Sequence, residues 1–257
     1  ASYYPSSQNY YNPYYYLKRQ MIWLAVSAFV MWFCAKVDYH FWVRLWIIVP
    51  SICAILLVLV LTSLGSEAYG SVRWIQVGPI TIMPGELAKV GMILFTTGFY
   101  SRHPKWSTNF WKGVMPVVGV AGVYGGMIMM QPNMSTAFTI VLIAGGMLLV
   151  AGIKWRHVGI LVGAAGVAGW AFIFLDKDGY RYNRFTSFLD PFADALGNGW
   201  QVVQSLLALG TGGLTGLGLG NSVQKNLYLP MAQNDFILAI LGEELGFIGI
   251  FCLVLVY

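Results

Sequence analysis

The chain has 257 residues, with 15 Lys+Arg against 10 Asp+Glu and a formal net charge of +5. Hydrophobic residues make up 58% and charged residues only 10%. Soluble domains carry about 25% charge, so an ordinary water-soluble enzyme is excluded. The cations are scattered singly or in pairs with no basic stripe, which excludes nucleic-acid binding.

A helical membrane span needs about 20 mostly apolar residues. The first candidate is 21–35, charge-free and flanked by Lys18, Arg19 and Lys36. The second is 45–66. The third, 90–101, is long enough only if Glu86 and Lys89 enter the helix. Residues 113–153 carry no charge and suffice for two spans, divided at Gln131-Pro132-Asn133, because proline disfavours helix in the residue before it. Residues 158–175 follow, and 245–257 begins a last span entered from Asp235. The expected fold is all-α, a polytopic transmembrane helix bundle of about seven spans. The charge-free stretch 195–224 holds eight glycines and is read as a re-entrant or interfacial element. Gly119, Gly122, Gly125, Gly126, Gly145 and Gly146 are expected to allow close helix packing, within the bundle or against a partner helix. The chain opens at Ala1 and stops at Tyr257 inside an apolar run. It reads as one membrane domain, 1–257, cut from a longer protein.

Seven cations crowd the short loops 36–44, 102–112 and 154–156. Lys and Arg in short loops orient a membrane protein, so this side is expected to be cytoplasmic. Nine of the ten carboxylates, and the long loop 176–235, then fall on or near the external face. Cys34, Cys53 and Cys252 lie in apolar runs, and His40, His103 and His157 are far apart. Neither a disulfide framework nor a His/Cys metal cluster is expected.

Four segments carry polar residues that a passive bundle would not need. GSVRWIQVGPITIMPGELAK reads as a Gly/Pro-rich loop followed by a helix starting at Pro84, with Glu86 and Lys89 spaced to pair on one face. Glu86 and Lys89 are then either a cap and local ion pair, or Lys89 joins Arg73 in holding an anionic group at the membrane surface. Gln131-Pro132-Asn133 is a turn between helices. In YRYNRFTSFLDPFADALGNGWQVVQ, Arg181 and Arg184 are three apart and suit a phosphate, or else pair with nearby aspartates or lipid headgroups. Gln204 and Lys225 complete the candidate substrate-binding set. In the last segment Asp235 stands before an apolar run, as an N-cap or as a general base. Were it helical, Glu243 would lie ~80° from it and Glu244 ~180°, so only Glu243 could share its face.

These blocks together resemble the SEDS family (shape, elongation, division and sporulation), the FtsW- and RodA-type proteins. GSVRWIQVGPITIMPGELAK is similar to the family's G-S-x-R-W-I…Q-P-S-E-x-x-K block, and QPNMSTA to Q-P-D-x-G-T-A. FLDPFADALGNGWQVVQSLLALGTGGLTGLGLGNSVQKNLYLP and NDFILAILGEELG resemble the long external loop and the helix after it. The opening YYNPYYYLKRQ is closer to the division and sporulation branch. The resemblance implies a ten-helix fold, of which this chain covers the stretch from just after the first helix to about the eighth. Met83, Gly85, Asn133, Met231 and Asn234 stand where the family has Gln, Ser, Asp, Glu and Thr. The changes at Asn133 and Met231 remove two external carboxylates, which argues against a metal site there.

The resemblance further implies a peptidoglycan glycosyltransferase in the bacterial plasma membrane, working on its external face. Its substrate would be lipid II, a disaccharide-pentapeptide on undecaprenyl pyrophosphate. Asp235 matches the family's essential aspartate, Arg73 its R-W-I arginine, and Glu86 and Lys89 its E-x-x-K pair. The implied partner is a single-pass class B penicillin-binding protein. No nucleotide is required, and a divalent cation (Mg or Mn) is the candidate cofactor. The rival readings are a lipid flippase or transporter and a non-enzymatic scaffold.

Overall fold

The computed structural model describes residues 14–62, 65–68, 71–78, 80–175, 180–197, 199–225, 228–229 and 235–257. Each of the seven expected spans coincides with a helix. They are α1 (Tyr15–Lys36), α3 (Ile48–Val60), α4 (Pro84–Arg102), α5 (Met115–Met129), α6 (Met134–Val150), α7 (Trp155–Phe174) and α10 (Ile237–Val256). α2 (Tyr39–Arg44) is a short helix between the first two. A 3-10 turn, Pro104–Thr108, and a π-turn, Phe110–Val114, lead into α5. By length and apolar composition, Phe110–Met129 and Ile237–Val256 suffice to cross a bilayer.

Sequence signals set the helix ends. Pro84 starts α4 at a position where its missing N–H costs nothing. α4 therefore includes Glu86 and Lys89, as the third span required. Asn133 caps α6 by accepting from the Thr136 N–H at 3.4 Å. Asp38 caps α2 by accepting from the His40 N–H at 2.7 Å. That bond and the His40 ring hold the exposed Asp38 carboxyl below its ordinary range.

The chain divides into two compact units, Ala35–Gly166 and a second made of Ala1–Cys34 with Val167–Tyr257. The core of the first is one apolar cluster from α3 to α6, including Leu57, Met92, Val117, Ile128, Ile140 and Leu148. Its buried phenol, Tyr124, donates to the Pro50 carbonyl at 2.7 Å, as a buried hydroxyl must. Outward faces are apolar too: Phe29 is 64% exposed, Met31 70% and Val150 87%. A water-facing surface does not carry such a belt.

The bundle is helical as expected, but a small sheet interrupts it where the sequence reads as a loop. β1 (Gly65–Ala68), β2 (Ser71–Val77) and β3 (Ile80–Ile82) pair antiparallel in that order. Ser66 faces Trp74, and Ile75 faces Ile82. β2 is rich in β-branched and aromatic residues, which suit a pleated surface. Gly78, at φ 61, makes the turn that follows it.

The glycines expected to bring helices together do not do so among the described residues. A Cβ on Gly119, Gly122, Gly125, Gly126, Gly145 or Gly146 meets nothing within 4 Å. Apolar side chains hold those helices together.

Candidate functional site

In the first unit, the sheet and two helix starts gather the predicted residues. Arg73 leaves β2 and donates from Nε to the Gln131 carbonyl at 3.3 Å and from Nη2 to the Pro132 carbonyl. The predicted arginine and the predicted turn are therefore one structure. A guanidinium has five N–H donors, so Arg73 keeps capacity for another acceptor. Gln131 is buried and donates to the Leu57 carbonyl at 3.4 Å. Asn133 is 3% exposed, and its Nδ2 has no partner among the described residues. A Cβ on Gly85 would meet Thr136 Cγ2 at 3.2 Å, so the first turns of α4 and α6 are neighbours. Lys89 pairs with Glu86 at 2.6 Å, and the Lys89 side chain keeps 26% of its surface exposed. Two helix N-termini, which favour anions, thus stand with Lys89 and the Arg73 turn at one end of this unit.

The second unit holds the remaining predicted residues. The long loop 176–235 contains two helices, α8 (Tyr180–Leu189) and α9 (Trp200–Gly212). Arg184 is exposed on α8, while the Arg181 side chain lies outside the described residues, as do Asp176, Asp178, Met231 and Asn234. Gln204 is buried on α9. α9 runs 13 residues, or about 20 Å. Lys225 is spent internally, since its ammonium pairs with Glu244 at 2.9 Å and donates to the Gly220 carbonyl.

The glycine-rich stretch after α9 is threaded into a break in α10. Gly246 sits at φ 68, ψ −170 and interrupts that helix. Above the break, the Glu243 and Glu244 carbonyls accept from the Leu217 N–H at 2.9 Å and the Gly218 N–H at 3.0 Å. Below it, the Phe247 and Ile248 N–H groups donate to the Gly213 and Leu214 carbonyls at 2.9 and 3.1 Å. The groups orphaned by the break are thus satisfied by the loop, as apolar surroundings demand. Glu243 is buried in the same knot, accepting from Ser222, Val223 and Gln224. Glu243 and Ser222 are 21 residues apart, and only the fold brings them together.

Asp235 stands just outside α10, where it is exposed. The N-cap of α10 is Phe236, with no side-chain bond, so Asp235 is not the cap. The helical-wheel relation between Asp235 and Glu243 also lapses, since α10 begins at Ile237. Among the described residues the Asp235 carboxylate has no hydrogen bond or ion pair. No three His, Cys, Asp or Glu among the described residues could hold a metal ion together. Glu243 and Glu244, the densest acidic pair, are already occupied, so these residues do not fit a divalent cation.

The family model described as FTSW_RODA_SPOVE, cell cycle protein, matches residues 1–257. Stage V sporulation protein E of Bacillus subtilis (strain 168) is 42% identical over 238 residues, covering 92% of this chain and 64% of that protein. The probable peptidoglycan glycosyltransferase FtsW of Acinetobacter baylyi is 40% identical over 243 residues, covering 93% and 59%. This chain thus spans about three-fifths of the length of those relatives. Among solved structures, one on the coordination of polymerization and crosslinking by a peptidoglycan synthase complex matches with a TM-score of 0.73 at 23% identity, covering 93% of this chain and 65% of that one. A variant of the rod shape determining protein RodA of Thermus thermophilus matches at 0.58 and 21%, covering 93% and 61%. The two structures share the fold, and with a family model spanning every residue, the chain belongs to the FtsW/RodA/SpoVE family of multi-span membrane proteins, the family its motifs resemble.

Proposed function

We propose that the protein is a peptidoglycan glycosyltransferase that polymerises lipid II on the external face of the bacterial plasma membrane, in division or sporulation. The observation that carries this reading is the match along nearly the whole chain to relatives named probable peptidoglycan glycosyltransferase FtsW. The Asp235 carboxylate, exposed and without a partner among the described residues, supports it. In the reaction, Asp235 takes the proton from the 4-hydroxyl of one lipid-linked sugar as that oxygen bonds to the anomeric carbon of another. The anomeric bond to the lipid diphosphate breaks, and a single displacement inverts the anomeric centre. Charge gathers on the departing diphosphate, and pre-positioned donors stabilise it. Lys89 and Arg73 suit that task, with the Asn133 Nδ2 donor, which has no partner among the described residues, beside the Arg73 turn. Arg181 and Arg184 are the further arginines of the proposal, and Glu86 orients Lys89. A class B penicillin-binding protein is the proposed partner, in line with the structural likeness to a peptidoglycan synthase complex.

Purified intact protein mixed with lipid II in detergent tests the reading, because detergent leaves no two sides to transport between. Glycan chains formed there mean catalysis. Their absence, with and without the partner, leaves a flippase or scaffold. Arg73→Ala is expected to weaken lipid II binding by about tenfold or more, the loss of a hydrogen bond to a charged group. Unaltered lipid II affinity in that variant removes Arg73 from the binding site.

A further inference from the structure

A buried carboxylate of α10 has no part in that chemistry. Glu243 is 1% exposed. Its Oε2 accepts from Ser222 Oγ at 2.5 Å and the Gln224 N–H at 3.4 Å, and its Oε1 from the Val223 N–H at 3.0 Å. A buried charge is costly unless it is hydrogen-bonded, and three donors converging on one carboxylate meet that need. An amide could not replace it, because its NH2 would face a donor.

The clasp sits at the start of the stretch that ends at Asp235. Lys225 strengthens it, donating its N–H to Ser222 Oγ at 3.2 Å and its ammonium to Glu244. Further along, the Leu229 N–H donates to the Gln224 carbonyl at 3.1 Å, and Trp200 Nε1 to the Tyr228 carbonyl at 3.1 Å. Leu229 is buried with Ala208, Ala239 and Ile240, and Phe236, the neighbour of Asp235, packs on that cluster. Among the described residues of this stretch, Ser222, Val223 and Gln224 are held by Glu243, and Leu229 and Phe236 by the apolar cluster.

We propose that Glu243 is a positioning residue for Asp235: its clasp on Ser222, Val223 and Gln224 fixes the start of the stretch that presents the base. The inference rests on the reading of Asp235 as that base. A base acts only within hydrogen-bond reach of its proton, and small misplacements are expensive in rate.

The test is lipid II polymerisation by the purified intact protein, with kcat and KM measured for wild type, Glu243→Gln, Asp235→Asn and the double variant. Hydrogen exchange is followed over 213–225, and thermal unfolding reports folding. Glu243→Gln is expected to lower kcat on the order of 10²-fold with KM unchanged. Amides 222–224 should exchange faster, and the residual rate of Asp235→Asn should fall no further when Glu243→Gln is added. Unchanged kcat in Glu243→Gln overturns the inference alone, as does an equal fold-loss in both backgrounds or a loss matched entirely by unfolded protein. A full wild-type rate in Asp235→Asn overturns the base reading, and the inference with it.

Discussion

Asp235→Asn is expected to lower the rate of lipid II polymerisation by ~10²–10⁴-fold, the usual contribution of a general base. The amide keeps the size and shape of the carboxylate but cannot take the proton of the attacking hydroxyl. Asp235 is exposed, caps no helix and pairs with no described residue, so its neutralisation breaks no contact within the described structure. Expression, thermal unfolding and lipid II affinity should therefore stay at wild-type values while product formation collapses. Glycan chains of wild-type length and rate from this variant would remove Asp235 from the chemistry.

Gly246→Ala is expected to have the largest effect on stability. At φ 68, ψ −170 the backbone lies where side chains are essentially excluded, a cost of about 1–3 kcal/mol. A Cβ there would also meet the Gly216 nitrogen at 2.4 Å and the Leu214 carbonyl oxygen at 2.5 Å. The Leu214 oxygen accepts from Ile248 across the break and the Gly216 nitrogen donates to the Gly212 carbonyl, so neither can yield without losing a hydrogen bond, and such overpacking typically costs a further ~1–3 kcal/mol. Gly216→Ala should behave alike, since that residue has φ +79 and its Cβ would lie 2.2 Å from the Glu244 carbonyl oxygen. Gly122→Ala is the contrasting case, because its Cβ enters open space on a regular helix. The expected readout is a large fall in unfolding temperature and rapid exchange over 213–218 for Gly246→Ala, with Gly122→Ala at or above wild type. Equal stability of Gly246→Ala and wild type would mean that the break is not built as described.

How much of this was legible before the fold was known depends on the range of each interaction. Apolar runs, Pro84 and the Gln131-Pro132-Asn133 break are local signals, and the helices follow them. The glycines of 195–224 likewise pointed to a loop that bends back, which the threading of 213–218 into α10 realises. β2 was hidden because its apolar residues do not alternate cleanly, Trp74 and Ile75 being adjacent, and because Gly and Pro residues surround it. Glu243 was opaque for a different reason. Its partners lie 19 to 21 residues away, and a glutamate beside Gly242 in an apolar helix gives no hint of them. Lys225 was a candidate substrate ligand, and its pairing with Glu244, 19 residues away, was not legible locally. Among the described side chains, Asp235 keeps a carboxylate without a partner, and the local sequence did single it out.

A structure of the intact protein with two lipid II molecules bound is the most direct measurement. The account predicts an Asp235 carboxyl oxygen ~2.6–3.2 Å from the acceptor 4-hydroxyl, the reach of a general base. An acceptor sugar bound at the opposite membrane face, or out of contact with Asp235, would contradict it.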